Sequence, residues 1–236
     1  MSRPDRAALF DATGTLIALR EPVGETYARI AGEHGIHVSA WRLGDAFARV
    51  IARTSPTVLP GATPGETLRR EREAWREIVR RTFLAADTVA AQRDLGGVFE
   101  ALFSHYADAA AWRPREGAGL ALRGLRARGV ATAVVSNFDG RLRGILVGLG
   151  LAPLLDLVWL PADAGAAKPD PAIFLGALRA LGVAPARALF VGDDATRDLA
   201  AARAAGLAAA VDATSLATLA DLPTLFEREI PEDPPR

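Results

Sequence analysis

Between residues 119 and 211, short apolar runs alternate with helix-like segments, and most of those segments stop at a glycine. Residues 119–128 read as a helix closed by Gly129, 130–135 as a β-branched strand, and 141–149 as a helix closed by Gly150. Residues 154–159 read as a strand, 171–181 as a helix closed by Gly182, and 188–191 as a strand. A helix over 196–205 closed by Gly206 and a last strand over 207–211 complete the series. Such alternation predicts a parallel sheet covered by helices on both faces, an α/β core. Right-handed crossovers place every strand C-terminus on one edge, where open α/β sheets bind ligands. Residues 7–10 are one more apolar run, ending at Asp11. Asp11, Ser136 and Asp193 each stand just past a strand end, so they are expected to converge.

The stretch between these parts has a different character. From residue 22 to residue 106 the pattern is helical, with segments at 26–34, 41–53, 67–83 and 94–106 and a Pro/Gly/Ser/Thr-rich loop at 54–65. No strand is expected there. A chain of 236 residues has room for one domain and an insert. The expected division is a core over 1–18 and 107–236 and a helical insert over 19–106. Residues 231–236, rich in proline and acid, read as a tail without fixed structure.

Composition narrows the function classes. Net charge is zero, so no field favours nucleic acid or an anionic membrane. Trp41, Trp75, Trp112 and Trp159 show no base-stacking pattern and read as packing residues. Cysteine is absent, which excludes disulfides and thiolate metal sites. The apolar stretch 147–160 is broken by Pro153 and Asp156, and the first residues have no signal-peptide character. The expectation is a cytoplasmic protein, monomer or homodimer, with neither nucleic acid nor membrane as partner. Arginines 69, 70, 72, 76, 80 and 81 lie among Glu71, Glu73 and Glu77 at helical spacing, which points to an ion-paired face. His34, His37 and His105 read as helix-end or packing residues.

Two singletons stand out. Lys168 is the one lysine among 28 basic residues, and Asn137 is the one asparagine. Lysine and arginine are not interchangeable where a compact ammonium must reach an oxygen in a tight space. Lys168 sits in Lys168-Pro169-Asp170-Pro171 and Asn137 in Ser136-Asn137. With Asp11-Ala12-Thr13-Gly14-Thr15-Leu16 and Gly192-Asp193-Asp194 plus Asp198, these four segments face the same edge. They supply a carboxylate nucleophile, hydroxyl and amide donors, a cation and further acids. That set suits phosphoryl transfer through an aspartyl phosphate. Asp11 and Asp193 with water and a phosphate oxygen make a hard site suited to Mg²⁺. Ser136 and Lys168 would hold phosphoryl oxygens, and Lys168 would also orient Asp11. Asp139, before Gly140-Arg141, reads as a helix cap.

The four segments, in this order, resemble the motifs of the haloacid dehalogenase-like (HAD) hydrolase superfamily over the whole chain. The resemblance implies a Rossmann-like core with strand order 5-4-1-2-3 and a helical cap inserted after the first motif. It implies catalytic Asp11, Lys168 and Ser136. Thr15, Ser136, Asn137 and Lys168 would contact substrate, and Asp11, Thr13 and Asp193 would hold Mg²⁺. Asp194 and Asp198 would stand behind them, Asp198 either on a metal-bound water or paired with Lys168. The implied substrate is a small phosphorylated metabolite. One position departs from the pattern. Most HAD phosphatases have an aspartate two residues after the nucleophile, acting as general acid and base, and here that residue is Thr13. Metal-independent 2-haloacid dehalogenases also lack it, but they generally replace the acids of the last motif, which this chain keeps as Asp193, Asp194 and Asp198. The expected function is therefore a Mg²⁺-dependent phosphatase selective for good leaving groups or slow in turnover. A dehalogenase and a catalytically impaired binding protein are the alternatives.

Overall fold

The computed structural model describes residues 4–58 and 60–232. The chain forms two compact units: Met1–Ala18, Val58–Gly61 and Arg113–Arg236 in one, Leu19–Thr57 and Ala62–Trp112 in the other. The strands in chain order are β1 (Ala7–Phe10), β2 (Ile17–Leu19), β3 (Trp112–Pro114), β4 (Ala131–Val135), β5 (Leu157–Trp159), β6 (Ala188–Gly192) and β7 (Ala209–Asp212). The helices are α1 (Val23–Glu33), α2 (Ala40–Ala52), α3 (Pro64–Ala86), α4 (Gly96–Ala107), α5 (Ala118–Ala127), α6 (Arg141–Gly148), α7 (Pro161–Ala164), α8 (Ala172–Leu181), α9 (Ala201–Ala204) and α10 (Leu222–Glu229).

Five strands of the first unit make a parallel sheet in the order β5-β4-β1-β6-β7. Numbered by their own sequence, these strands run 3-2-1-4-5, the expected order read from the other edge. Both faces of the three central strands are buried. Ala7, Leu9, Ala131, Ala133, Val135, Ala188 and Phe190 pack in one core with Phe174 and Leu178 of α8 and Ala202 of α9. The alternate residues Ala8, Phe10, Thr132, Val134, Leu189 and Val191 are buried as well, so they face a second layer. The result is a three-layer, Rossmann-like α/β architecture. Phe174 and Phe190 meet edge to face, with ring centroids 5.0 Å apart, the favoured geometry of an aromatic pair.

The second unit is helical among its described residues apart from the strand residues at its two ends. Tyr27, Ile30, Leu43, Phe83, Val98, Phe99 and Leu102 make its own apolar core. Helix α3 starts at a capping box in which Thr63 and Glu66 satisfy each other's amides, with Pro64 in the first turn. Arg80 and Arg81 pair with Glu77 and Arg70 with Glu73, as the helical spacing predicts, whereas Arg72 and Arg76 reach across to Glu100 of α4, which no spacing within the helix marks. His105 packs against Tyr106, ring centroids 5.0 Å apart.

Several expectations are corrected. The insert expected over 19–106 differs at its edges from the second unit. The Trp112 indole donates to the Tyr106 carbonyl and the Asp108 amide to that of His105, tying residues 107–112 to the helix before them. Residues 58–61 group with the first unit instead. Strands β2 and β3, which pair with each other, leave no mark in the sequence, since three residues are too few to show alternation. The strand expected over 154–159 is shorter, because Ala152–Leu154 forms a 3₁₀ turn. The helix expected over 196–205 begins as a π-type segment, Ala195–Ala200, and becomes α-helical only in α9. Helix α10 was unforeseen. It buries Leu222, Pro223 and Phe226, and its Glu227 pairs with the buried Arg6 guanidinium (2.9 Å). The expected tail lies outside the described residues from residue 233 onward. Among the described residues no helix is long and apolar enough to cross a membrane.

Candidate active site

Strand register brings the site together. Phe10 of β1 is level with Val134 of β4 and Val191 of β6, so Asp11, Ser136 and Asp193 emerge within two residues of one line. The Asp11 amide donates to the Val191 carbonyl (2.9 Å), extending the ladder one step past the strand. The chain then folds tightly on itself. The Ala12 carbonyl accepts from the amides of Thr15, Leu16 and Ile17, and Gly14 donates to the Ile17 carbonyl (2.8 Å). Gly14 has φ +84°, and a Cβ there would lie 2.2 Å from Asp193 Oδ2. Only glycine combines that backbone conformation with so close an approach. Gly192 is similarly confined, since a Cβ there would stand 2.5 Å from Asp198 Oδ2.

Lys168 occupies the centre. Its ammonium donates to Asp11 Oδ1 (2.6 Å) and Asp198 Oδ1 (2.5 Å) and lies 5.4 Å from the centroid of the Phe190 ring. Lys168 is 4% exposed, Asp11 7% and Asp198 2%, so this triad is almost fully withdrawn from water. The other Asp198 oxygen accepts from the amides of Asp193 and Asp194 (3.2 Å each). Burial by itself would pull the lysine pKa down. The charges of Asp11 and Asp198 outweigh it, and the net shift is upward, keeping the ammonium protonated. The main chain of Lys168 is clasped by Asn137: Nδ2 donates to its carbonyl and its amide donates to Oδ1, each at 2.8 Å. The two compositional singletons thus hold each other.

Three carboxylates, Asp11, Asp193 and Asp198, present oxygens within 4.8 Å of one another. One ammonium lies among them, so the cluster carries excess negative charge. Asp193 registers this: desolvation, then the charges of Asp11 and Asp198, push its pKa up to about 6. Desolvation raises Asp198 as well. An all-oxygen, electron-rich set of this kind fits a hard divalent cation. Asp11 Oδ2 has no hydrogen-bond donor among the described residues and remains available for attack or ligation.

A family model described as haloacid dehalogenase-like hydrolase matches residues 6–206. The chain belongs to this family. The HAD-like chain is also 40% identical over 202 residues to the haloacid dehalogenase-like hydrolase domain-containing protein 3 of Bos taurus, covering 86% of this chain and 79% of that one. A shorter match, 46% identical over 85 residues, is to a phosphoserine phosphatase of Thermus thermophilus, covering 36% and 34% of the two chains. Among solved structures, a dehalogenase superposes with a TM-score of 0.62 at 27% identity, over 89% of this chain and 85% of that one.

Within the HAD-like fold the remaining candidates take distinct places. Ser136 is buried at the end of β4; its hydroxyl accepts from the Phe138 amide (3.4 Å), which leaves its proton free to donate elsewhere. Thr15 is fully buried and its hydroxyl has no partner among the described residues. Thr13 is exposed and forms an isolated parallel bridge with Ile17. Asp194 caps the π-type segment, accepting from the amides of Thr196 (2.9 Å) and Arg197 (2.7 Å). For Asp198, the pairing with Lys168 is the alternative observed. Asn137, expected among substrate contacts, has both ends of its side-chain amide on the Lys168 main chain, with a second N–H of Nδ2 left over. Asp139 stands next to Gly140 at the start of α6; it accepts from the first-turn amide of Arg141 (3.0 Å), as the expected capping residue would, and also pairs with the Arg141 guanidinium (2.6 Å). Sequence reasoning passed over Arg115, whose guanidinium donates to the Gly14 carbonyl (2.8 Å). No local pattern marked it.

Proposed function

We propose that this HAD-like hydrolase is a Mg²⁺-dependent phosphatase acting on a small phosphorylated metabolite through a phosphoryl-Asp11 intermediate. The observation that carries the reading is the clustering of three carboxylates, Asp11, Asp193 and Asp198, around one ammonium. A divalent cation offsets the excess negative charge of that cluster; a metal-independent dehalogenase has no need of it. The phosphatase relative points the same way, and the dehalogenase neighbour keeps the alternative open to test.

Asp11 and Asp193, with Thr13 at the exposed edge, would hold the cation, which when bound draws charge from the phosphoryl oxygens and eases approach of an anionic nucleophile. Asp11 attacks phosphorus as the leaving oxygen departs in line, forming the acyl phosphate. Lys168 orients Asp11, and Lys168, Ser136 and Thr15 donate to the transferred oxygens. Water then cleaves the acyl phosphate, releasing phosphate and restoring the carboxylate. The alcohol-side oxygen leaves without a proton from position 13, because a threonine hydroxyl does not serve as an acid near neutral pH. Loss of a positioned general acid costs on the order of 10²–10⁴-fold. Substrates whose leaving group departs as a stable anion, acyl and aryl phosphates, escape most of that cost.

The test is a panel of acetyl phosphate, p-nitrophenyl phosphate and alkyl phosphates, each with Mg²⁺ and with chelator. Mg²⁺-dependent turnover of the first two, far above the alkyl esters, is the expected result. Thr13→Asp is expected to raise turnover of the alkyl esters by about 10²-fold; no rise would remove position 13 as the cause of selectivity. Chloride release from a 2-haloacid in metal-free buffer would replace the reading with the dehalogenase one. Tight phosphate binding without either activity would leave a binding protein.

A further inference from the structure

Arg115 follows β3 and grips the Asp11 loop at two points. Its main-chain amide donates to the Leu16 carbonyl (2.9 Å), and its Nη1 donates to the carbonyls of Gly14 (2.8 Å) and Ala213 (3.3 Å). Ala213 comes directly after β7, and β6 lies between β1 and β7 in the sheet. The guanidinium therefore joins the loops on either side of the strand that carries Asp193. Gly14 is the residue Asp193 rests against: the space a Gly14 Cβ would fill is already occupied by Asp193 Oδ2 and Cγ. A carbonyl held on one side of the Gly14 unit and a carboxylate packed on the other make the position of Asp193 depend on Arg115.

We infer that Arg115 is a positioning residue for the divalent-cation site, acting through Gly14 on the carboxylate of Asp193. It rests on the reading of Asp193 as a cation ligand. Arg115 acts through the main-chain carbonyls of Gly14 and Ala213 and is placed as neither a cation ligand nor a substrate contact. Groups that bond a metal ligand set its orientation, and losing one typically costs about 10–100-fold in metal affinity; Arg115 stands one step further back, behind Gly14, so a loss at the low end of that range is expected. A structural tie between two loops would instead cost stability and leave that affinity in place.

The experiment titrates Mg²⁺ alone into the purified chain and follows it by calorimetry and by the rise in melting temperature. Arg115→Met is expected to raise the Mg²⁺ concentration for half-saturation about tenfold, and Arg115→Lys, which keeps a cationic donor, to recover most of the affinity. In turnover assays the loss in Arg115→Met is expected as a higher Mg²⁺ requirement, largely overcome at saturating Mg²⁺. Unchanged half-saturation in Arg115→Met overturns the inference, even if the metal-free melting temperature falls. Should the methionine variant not fold, Arg115→Gln decides by the same criterion. An unaltered chain that shows no response to Mg²⁺ removes the metal reading itself and this inference with it; a chain that binds Mg²⁺ equally with and without Arg115 removes only the inference.

Discussion

Asp11→Asn is expected to lower phosphatase turnover by roughly 10⁶-fold, the scale seen when an enzyme loses its nucleophile. Asparagine matches aspartate in shape, and its amide oxygen can still accept from Lys168, now 2.6 Å from Asp11 Oδ1. What it lacks is a charged oxygen able to attack phosphorus. The fold should therefore survive, and the melting temperature in the absence of metal should stay close to that of the unaltered chain. Two measurements check this. Steady-state turnover of an aryl phosphate reads the chemistry. Mass analysis after acid quench should find a phosphoryl group on the peptide spanning residue 11 in the unaltered chain alone. A variant keeping more than about one per cent of turnover would contradict the covalent route.

Lys168→Met should strike both activity and stability. The ammonium is held by Asp11 and Asp198 in a nearly dry space, with Asp193 close by. Breaking a buried ion pair by removing one partner typically costs about 3–5 kcal/mol, because the other charge is left without compensation. That loss is expected at neutral pH, where the orphaned carboxylates would be ionised. It should shrink as pH falls, because the raised pKa values of Asp198 and Asp193 let those groups take up protons and shed the uncompensated charge. Urea unfolding of both proteins at neutral and mildly acid pH tests it. A stability difference that is absent at neutral pH, or that grows on acidification, would show that the ammonium does not carry this load. Lys168→Arg is expected to fail as well, since a planar guanidinium cannot sit where a point charge reaches two carboxylates at 2.6 and 2.5 Å.

Much of this molecule is legible in its sequence, for a local reason. A buried strand and the helix after it each carry their own periodicity, and the residue just past the strand is marked by position alone. Asp11, Ser136 and Asp193 were identified in this way. The glycine endings of helices α5 and α8 were equally plain, because a left-handed C-terminal residue favours glycine; Gly129 has φ +71° and Gly182 +76°. The three-residue strands β2 and β3 and the π-type start before α9 were not legible. The two strands depend on hydrogen bonds to a partner distant in the chain, and the π-type turn closes on Asp194 within a few residues, too short a span to show a period.

The sequence by itself determined the α/β class, the edge where the site forms, and the residue types that meet there, since hydrophobic period and strand ends are properties of short segments. Only the tertiary structure decided how those residues share one another. That Lys168 serves Asp11, 157 positions away, and Asp198 together is a matter of distance across loops. So are the clasp of Asn137 on the Lys168 main chain, the seat of Asp193 against Gly14, and the Arg115 brace behind it. These contacts are set by loop paths and by charges withdrawn from water, and neither leaves a period in the chain.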